Sequence, residues 1–248
     1  MTSPVFVADP DAFASGSSVV LHGAEARHAA TVRRLRVGES IVVTDGLGQA
    51  VFGEVATVTR DGVEVTVSER LVQDPADPRL TVVQAIPKGD RAERAVELLT
   101  EVGVDEIVPF AAARCVSRWP ADRTERALAR WRSAAREAGK QARRWRFPVV
   151  TEPAVLEAVA HRVTRSALAL ILHESAGTSL GSVALPTAGE ITLVVGPEGG
   201  LTDDEVSRLV AAGAVAVRLG PTVMRTSTAG VVAAAAILAR TTRWDVSP

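Results

Sequence analysis

The chain has 248 residues, 47% of them apolar and 23% charged, with a formal net charge of −1 and a single cysteine, Cys115. At roughly 150 residues per domain this length reads as two domains that can each bury a core, and the composition excludes a disordered or fibrous chain. One thiol, and four histidines (His22, His28, His161, His173) in no ligand spacing, exclude an internal disulfide and a thiolate or HExxH centre, so no metal is expected.

Residues 1–72 hold short β-rich runs: VFV (5–7), SVVLH (18–22), SIVVTD (40–45), AVFGEVATVT (50–59) and VEVTVSE (63–69). Several alternate apolar and polar residues, and Asp45-Gly46 and Asp61-Gly62 supply turns, so the region reads as a small β-barrel. EARHAATVRRLRVGE (25–39) reads as a short helix entering a basic corner of Arg27, Arg33, Arg34 and Arg36. QDPADPR (73–79) has the character of a linker, which divides the chain into residues 1–73 and 79–248.

From Leu80 the pattern becomes strand and helix in alternation, as in a mostly parallel sheet covered by helices. LTVVQAI (80–86) is a buried-strand run. A helix follows, with Asp90 and Glu93 in capping-box spacing, Ala92, Val96, Leu99 and Val102 on one side, and Gly103 as its stop. EIVPF (106–110) is the next strand. A long helix is expected from about Asp122 to Trp145, with Leu128, Trp131, Ala135, Ala138, Ala142 and Trp145 in one apolar arc and Arg126, Arg130, Arg132, Arg136, Lys140, Arg143 and Arg144 opposite. Between Arg114 and Arg146, Arg118 included, eleven basic residues stand against three acidic ones, an asymmetry that points to an anionic partner despite the neutral total. ALALILHE (167–174), EITLVVGP (190–197) and VAVRL (215–219) are three further buried strands, and an Ala-rich helix over about 226–240 ends the pattern. Its longest apolar run, Ala229 to Ala239, falls short of the roughly 20 residues that cross a bilayer, and the opening residues lack a secretory pattern. The expectation is a cytoplasmic chain without a membrane span.

Three loops stand at carboxyl ends of strands, where open α/β sheets place ligands. They are Leu172-His173-Glu174; Gly196-Pro197-Glu198-Gly199-Gly200, leading to Thr202-Asp203-Asp204-Glu205; and Leu219-Gly220 through Met224-Arg225-Thr226-Ser227 to Gly230. Glycines there let backbone donors and acceptors approach a flat ligand. Neither a Walker A sequence nor GxGxxG occurs, which disfavours a nucleotide triphosphatase or a dehydrogenase. These residues alone give a ligand pocket beside a cationic surface.

At GPEGGLTDDE and LGPTVMRTSTA, with PKGDRAERAVELLTEVGVDEIVPF and EAGKQARRWRFP in the same order, the chain resembles the 16S ribosomal RNA uracil-N3 methyltransferases, a branch of the SPOUT methyltransferases. The resemblance covers essentially the whole chain. It implies an N-terminal PUA-like β-barrel, an α/β domain with a C-terminal trefoil knot, a homodimer, and S-adenosylmethionine bound in the knot against Leu172, His173, Glu174, Gly196, Pro197, Glu198, Gly199, Gly200, Leu219, Gly220, Met224, Arg225, Thr226 and Ser227. The sequence departs from the family pattern at Thr222, where many relatives have Arg, and at Ser227, where many have Glu.

The implied reaction takes a proton from uracil N3, spreading negative charge onto O2 and O4, and Arg225 is the candidate cation for that charge. Glu198 is the candidate to orient the cofactor or accept the proton, whereas His173 reads as a packing and cofactor contact. The arginine stripe with Arg33, Arg34 and Arg36 would grip phosphates of 16S ribosomal RNA or the small subunit, with steep salt dependence. Two other readings stand beside this one: a SPOUT enzyme acting on another RNA position, and a non-catalytic RNA-binding or assembly protein.

Overall fold

The computed structural model describes residues 3–14, 16–59, 62–89, 91–117 and 119–245. Asp61, Asp90 and Arg118, named above in a turn, a cap and the basic segment, lie outside them. Contacts divide the chain into residues 1–75 with 139–147, and residues 76–138 with 148–248.

In the N-terminal unit, β1 (Val5–Val7), β2 (Ser18–His22), β3 (Ser40–Thr44), β4 (Gln49–Val58) and β5 (Gly62–Val72) form one sheet in the order β1-β3-β4-β5-β2. The β1–β3 pair is parallel and the others antiparallel. Alternation turns Leu21, Val43, Val51, Val63 and Val65 into a core with Phe6 and Ile41. Register shifts between Phe52 and Gly53 and between Val55 and Thr57 bend the long β4–β5 ribbon. Only glycine fits at 53, because a Cβ there would lie 2.2 Å from the Thr66 carbonyl oxygen. The result is a bent sheet whose outermost strands are β1 and β2. The helix expected over 25–39 is shorter: α1 (Gly23–Arg27) passes into a π-helical turn at His28–Val32. It stops because Arg34 takes a left-handed φ of 53° and Leu35 turns into the core.

The C-terminal unit holds β6 (Arg79–Ala85), α2 (Arg91–Val102), β7 (Glu106–Phe110), α3 (Ala121–Gln141), β8 (Val149–Val150), α4 (Leu156–Val163), β9 (Leu168–Leu172), β10 (Thr178–Ser179), β11 (Glu190–Val195), α5 (Asp203–Ala211), β12 (Val215–Arg218) and α6 (Thr226–Leu238). Its strands run β10-β12-β9-β11-β6-β7-β8, every pair parallel. Both faces are covered: Val96, Leu99, Leu128, Trp131, Ala233 and Ile237 pack on one, Val159, Val163 and Leu209 on the other. That two-sided burial is why the strands read as continuous apolar runs. At the N-terminal ends of the central strands Glu106 is held by Arg79 and Arg162, and Arg162 reaches Glu190 at 2.6 Å.

Helix α3 ends at Gln141, short of the expected Trp145, with Arg143 in the left-handed conformation (φ 56°) that closes a helix. Ala142 is exposed and Trp145 lies beyond the helix, so neither belongs to its apolar arc. The segment after it is bound into the N-terminal unit instead. Phe147 N–H donates to Gly46 O (2.8 Å), Gly48 N–H to Trp145 O (2.9 Å), Arg146 Nη2 to Gln73 O (2.8 Å), and Trp145 stacks edge-on against Phe52.

Candidate active site

Because β12, β9 and β11 are adjacent and parallel, the loops that follow them leave the sheet side by side. Together they line a pocket of about 590 Å³, within the range of small-molecule sites. Each loop is shaped locally. His173 N–H donates to Val217 O (2.9 Å), carrying the β9–β12 pairing past the strand end, and its Nδ1 accepts the Ser175 N–H (3.2 Å). Gly200 takes a left-handed φ of 71° and closes a turn onto Pro197 O (2.9 Å). Thr202 and Glu205 then form a full capping box that starts α5. Buried Glu205 also accepts the Ala113 N–H (2.8 Å), and Arg114 Nη1 donates to Gly199 O (3.1 Å), so residues 113–114 brace the glycine loop.

The third loop ends where Arg225 O accepts the N–H groups of Thr228 (2.9 Å) and Ala229 (2.8 Å), opening α6. The Arg225 side chain is exposed, lines the pocket and makes no ion pair among the described residues. Glu198 lines the pocket too, and its Oε1 accepts the Lys88 N–H from the loop after β6 (3.1 Å). Burial pushes the Cys115 thiol up, outweighing backbone hydrogen bonds from Ala112 and Ile86, so the thiol stays protonated.

Of the residues singled out for the cofactor, thirteen line this one cavity: Leu172, His173, Glu174, Gly196, Pro197, Glu198, Gly199, Gly200, Leu219, Gly220, Met224, Arg225 and Thr226. Ser227 does not; it is buried in the first turn of α6. Arg114, Asp203 and Arg218 line the pocket unforeseen. Asp203 opens α5 and Arg218 ends β12, positions readable from the strand ends, but Arg114 arrives from elsewhere in the chain with no local signal. Gly200 and Gly220 line the cavity and leave room for a flat, partly polar ligand, since a Cβ at either would meet open space. Among the described residues no cluster of His, Cys, Asp or Glu could hold a metal ion, and no helix is long and apolar enough to cross a membrane.

The cations differ in burial and in the partners they hold. Lys140 leaves the exposed stripe: its side chain is 8% exposed and its ammonium pairs with Glu25 at 2.9 Å, because the end of α3 is packed into the N-terminal unit. Arg130 pairs with Glu93 (3.2 Å) and Arg132 with Glu152 (2.7 Å), both at the surface. Half-buried Arg144 donates to Arg146 O (2.9 Å). Arg126 and Arg136, and in the N-terminal unit Arg33, Arg34, Arg36 and Arg143, are exposed.

A parallel α/β unit with a ligand-sized pocket at the carboxyl ends of neighbouring strands, together with a separate small β unit, defines a two-part protein. Residues 75–238 match the family described as RNA methyltransferase domain and residues 21–68 the family described as RNA methyltransferase PUA domain. The chain belongs to this RNA methyltransferase family. It is 45% identical, over its whole length and 95% of the relative, to the ribosomal RNA small subunit methyltransferase E of Mycobacterium bovis. To the protein of that name from Bacillus subtilis it is 30% identical, over 87% of each chain. Among solved structures it is similar to the ribosomal RNA small subunit methyltransferase E of Neisseria gonorrhoeae bound to S-adenosyl methionine, with a TM-score of 0.84 and 29% identity over 96% of this chain and 98% of the other.

Proposed function

We propose that the chain is an S-adenosylmethionine-dependent methyltransferase that modifies N3 of one uridine in the RNA of the small ribosomal subunit. The observation that carries this reading is the convergence of the Leu172, Gly196 and Leu219 loops on one cavity. The relatives' names, and the cofactor held by the similar Neisseria structure, support the substrate and cofactor. A homodimer, the trefoil knot and the cytoplasm belong to the same proposal, on the resemblance alone.

When bound, S-adenosylmethionine supplies an electrophilic methyl group on a sulfonium. Backbone groups of Gly196 to Gly200 and Leu219 to Gly220 would hold it, with Leu172 and Met224 against its apolar parts. The protein's share of catalysis is alignment and charge stabilisation. Arg225, exposed on the pocket wall, would stabilise the negative charge that appears on the uracil oxygens once the N3 proton has left to solvent. Buried Ser227 offers no base from the position where many relatives have Glu. Exposed Arg126, Arg136 and Arg143, with Arg33, Arg34 and Arg36, supply phosphate contacts.

Incubation of purified protein with small-subunit RNA and labelled cofactor, followed by nuclease digestion and nucleoside mass spectrometry, tests the reading. It expects 3-methyluridine at one position. A ribose-methylated or guanine-methylated product would reassign the target atom, and RNA binding without transfer would reduce the chain to a binding protein.

A further inference from the structure

A fourth loop leaves the same edge of the sheet: Pro87 to Gly89, after β6. Strand β6 neighbours β11, with Gln84 opposite Val195, so this loop departs beside the glycine loop that carries Glu198. The two are joined by the Lys88 N–H donating to Glu198 Oε1 at 3.1 Å, a contact across 110 positions of sequence. Gly89 follows in a left-handed conformation (φ 67°) with open space where a Cβ would stand. Lys88 is exposed, and among the described residues its ammonium makes no ion pair. Arg114, by contrast, donates to backbone carbonyls of the glycine loop. An exposed carboxylate bonded to a main-chain amide gains little fold stability from that bond, but it fixes where the next side chain begins.

We propose that Lys88 binds the backbone phosphate of the target nucleotide, and that Glu198 is the positioning residue that holds Lys88 at the pocket edge rather than the group that accepts the N3 proton. A lysine ammonium is a compact point charge suited to one phosphate, and its main-chain anchor leaves the four-carbon stem to reach it. This inference rests on the pocket being a methyltransferase site.

The test compares wild type with K88A, E198A and E198Q in steady-state methyl transfer and in RNA binding across a salt series, with melting temperature and cofactor affinity measured in parallel. K88A raises KM for RNA about 5- to 10-fold, lowers the salt slope of RNA binding by about one and leaves cofactor affinity in place. E198A repeats the rise in KM. E198Q keeps the acceptor oxygen without the charge, so it rescues kcat/KM to within about 3-fold and keeps the wild-type pH–rate profile. Unchanged KM and salt slope in K88A overturn the phosphate contact. E198Q as inactive as E198A, with one limb of the pH profile lost, makes Glu198 the base and overturns its positioning role. Wild-type protein that transfers no methyl group sinks the functional reading instead, and the salt slope of K88A then still decides the phosphate contact.

Discussion

Lys140 separates two accounts of the arginine-rich helix. By its position opposite the apolar arc it belongs with the RNA-binding cations, yet its side chain is 8% exposed, that of Glu25 is 13% exposed, and the two meet at 2.9 Å. Removing one member of a buried pair leaves the other charged and poorly solvated, at a cost of roughly 3–5 kcal/mol. Glu25 also accepts the Val7 N–H at 3.3 Å, which places K140A near the lower end, about 3 kcal/mol. For a chain of this size that is a fall in Tm of roughly 6–12 °C. R126A, at an exposed position, should leave Tm within about 1 °C, since surface substitutions stay within about 0.5 kcal/mol, and should reduce the salt slope of RNA binding by about one. Thermal melts and filter binding on the two variants supply both numbers. K140A with wild-type Tm and a reduced salt slope would refute the reasoning and return Lys140 to the RNA surface.

Four more outcomes can be checked. R225A should lower kcat by about 10²- to 10³-fold, the loss typical of one donor to a developing oxyanion, while calorimetry shows cofactor affinity changed by less than about 3-fold. G220V adds a side chain at the pocket wall where a Cβ meets open space, so cofactor binding should weaken at least about tenfold with Tm unmoved. G139A would place a Cβ 2.4 Å from Phe147 Cδ1; overpacking of about 1–3 kcal/mol exceeds the roughly 1 kcal/mol gained in helix propensity, so urea midpoints should fall. Burial pushes the Glu190 carboxyl up, but the hydrogen bond and charge of Arg162, with the Thr192 and Thr81 hydroxyls, hold it net below the usual carboxylate value. Its stabilising share is therefore present above the unfolded carboxylate pKa of about 4.3 and lost as pH falls below it, so E190Q should show a flatter decline in unfolding free energy between pH 5 and 3.

Much of the C-terminal unit was legible because parallel strands buried on both faces carry continuous apolar runs, and because their ends are marked by glycine. LTVVQAI, ALALILHE and EITLVVGP became β6, β9 and β11, and the loops after β9, β11 and β12 met as expected. What stayed hidden depends on contacts distant in sequence. Helical periodicity gives the angle of Lys140 around α3 but not the carboxylate of Glu25 packed against it. The same limit applies to Gly139, whose lack of a side chain makes room for Phe147, and to Trp145, which reads as one more apolar helix position and lies instead against Phe52. Arg114 reaches the pocket by crossing onto the Gly199 loop, and Ser227 sits at a motif position yet turns inward because α6 buries that side of its first turn.

The cavity's purpose is tested most directly by calorimetric titration of the wild-type protein with S-adenosylmethionine. Saturable binding at one molecule per chain, weakened at least about tenfold by G220V, is the predicted result. A folded protein that takes up no cofactor at millimolar concentration would contradict it.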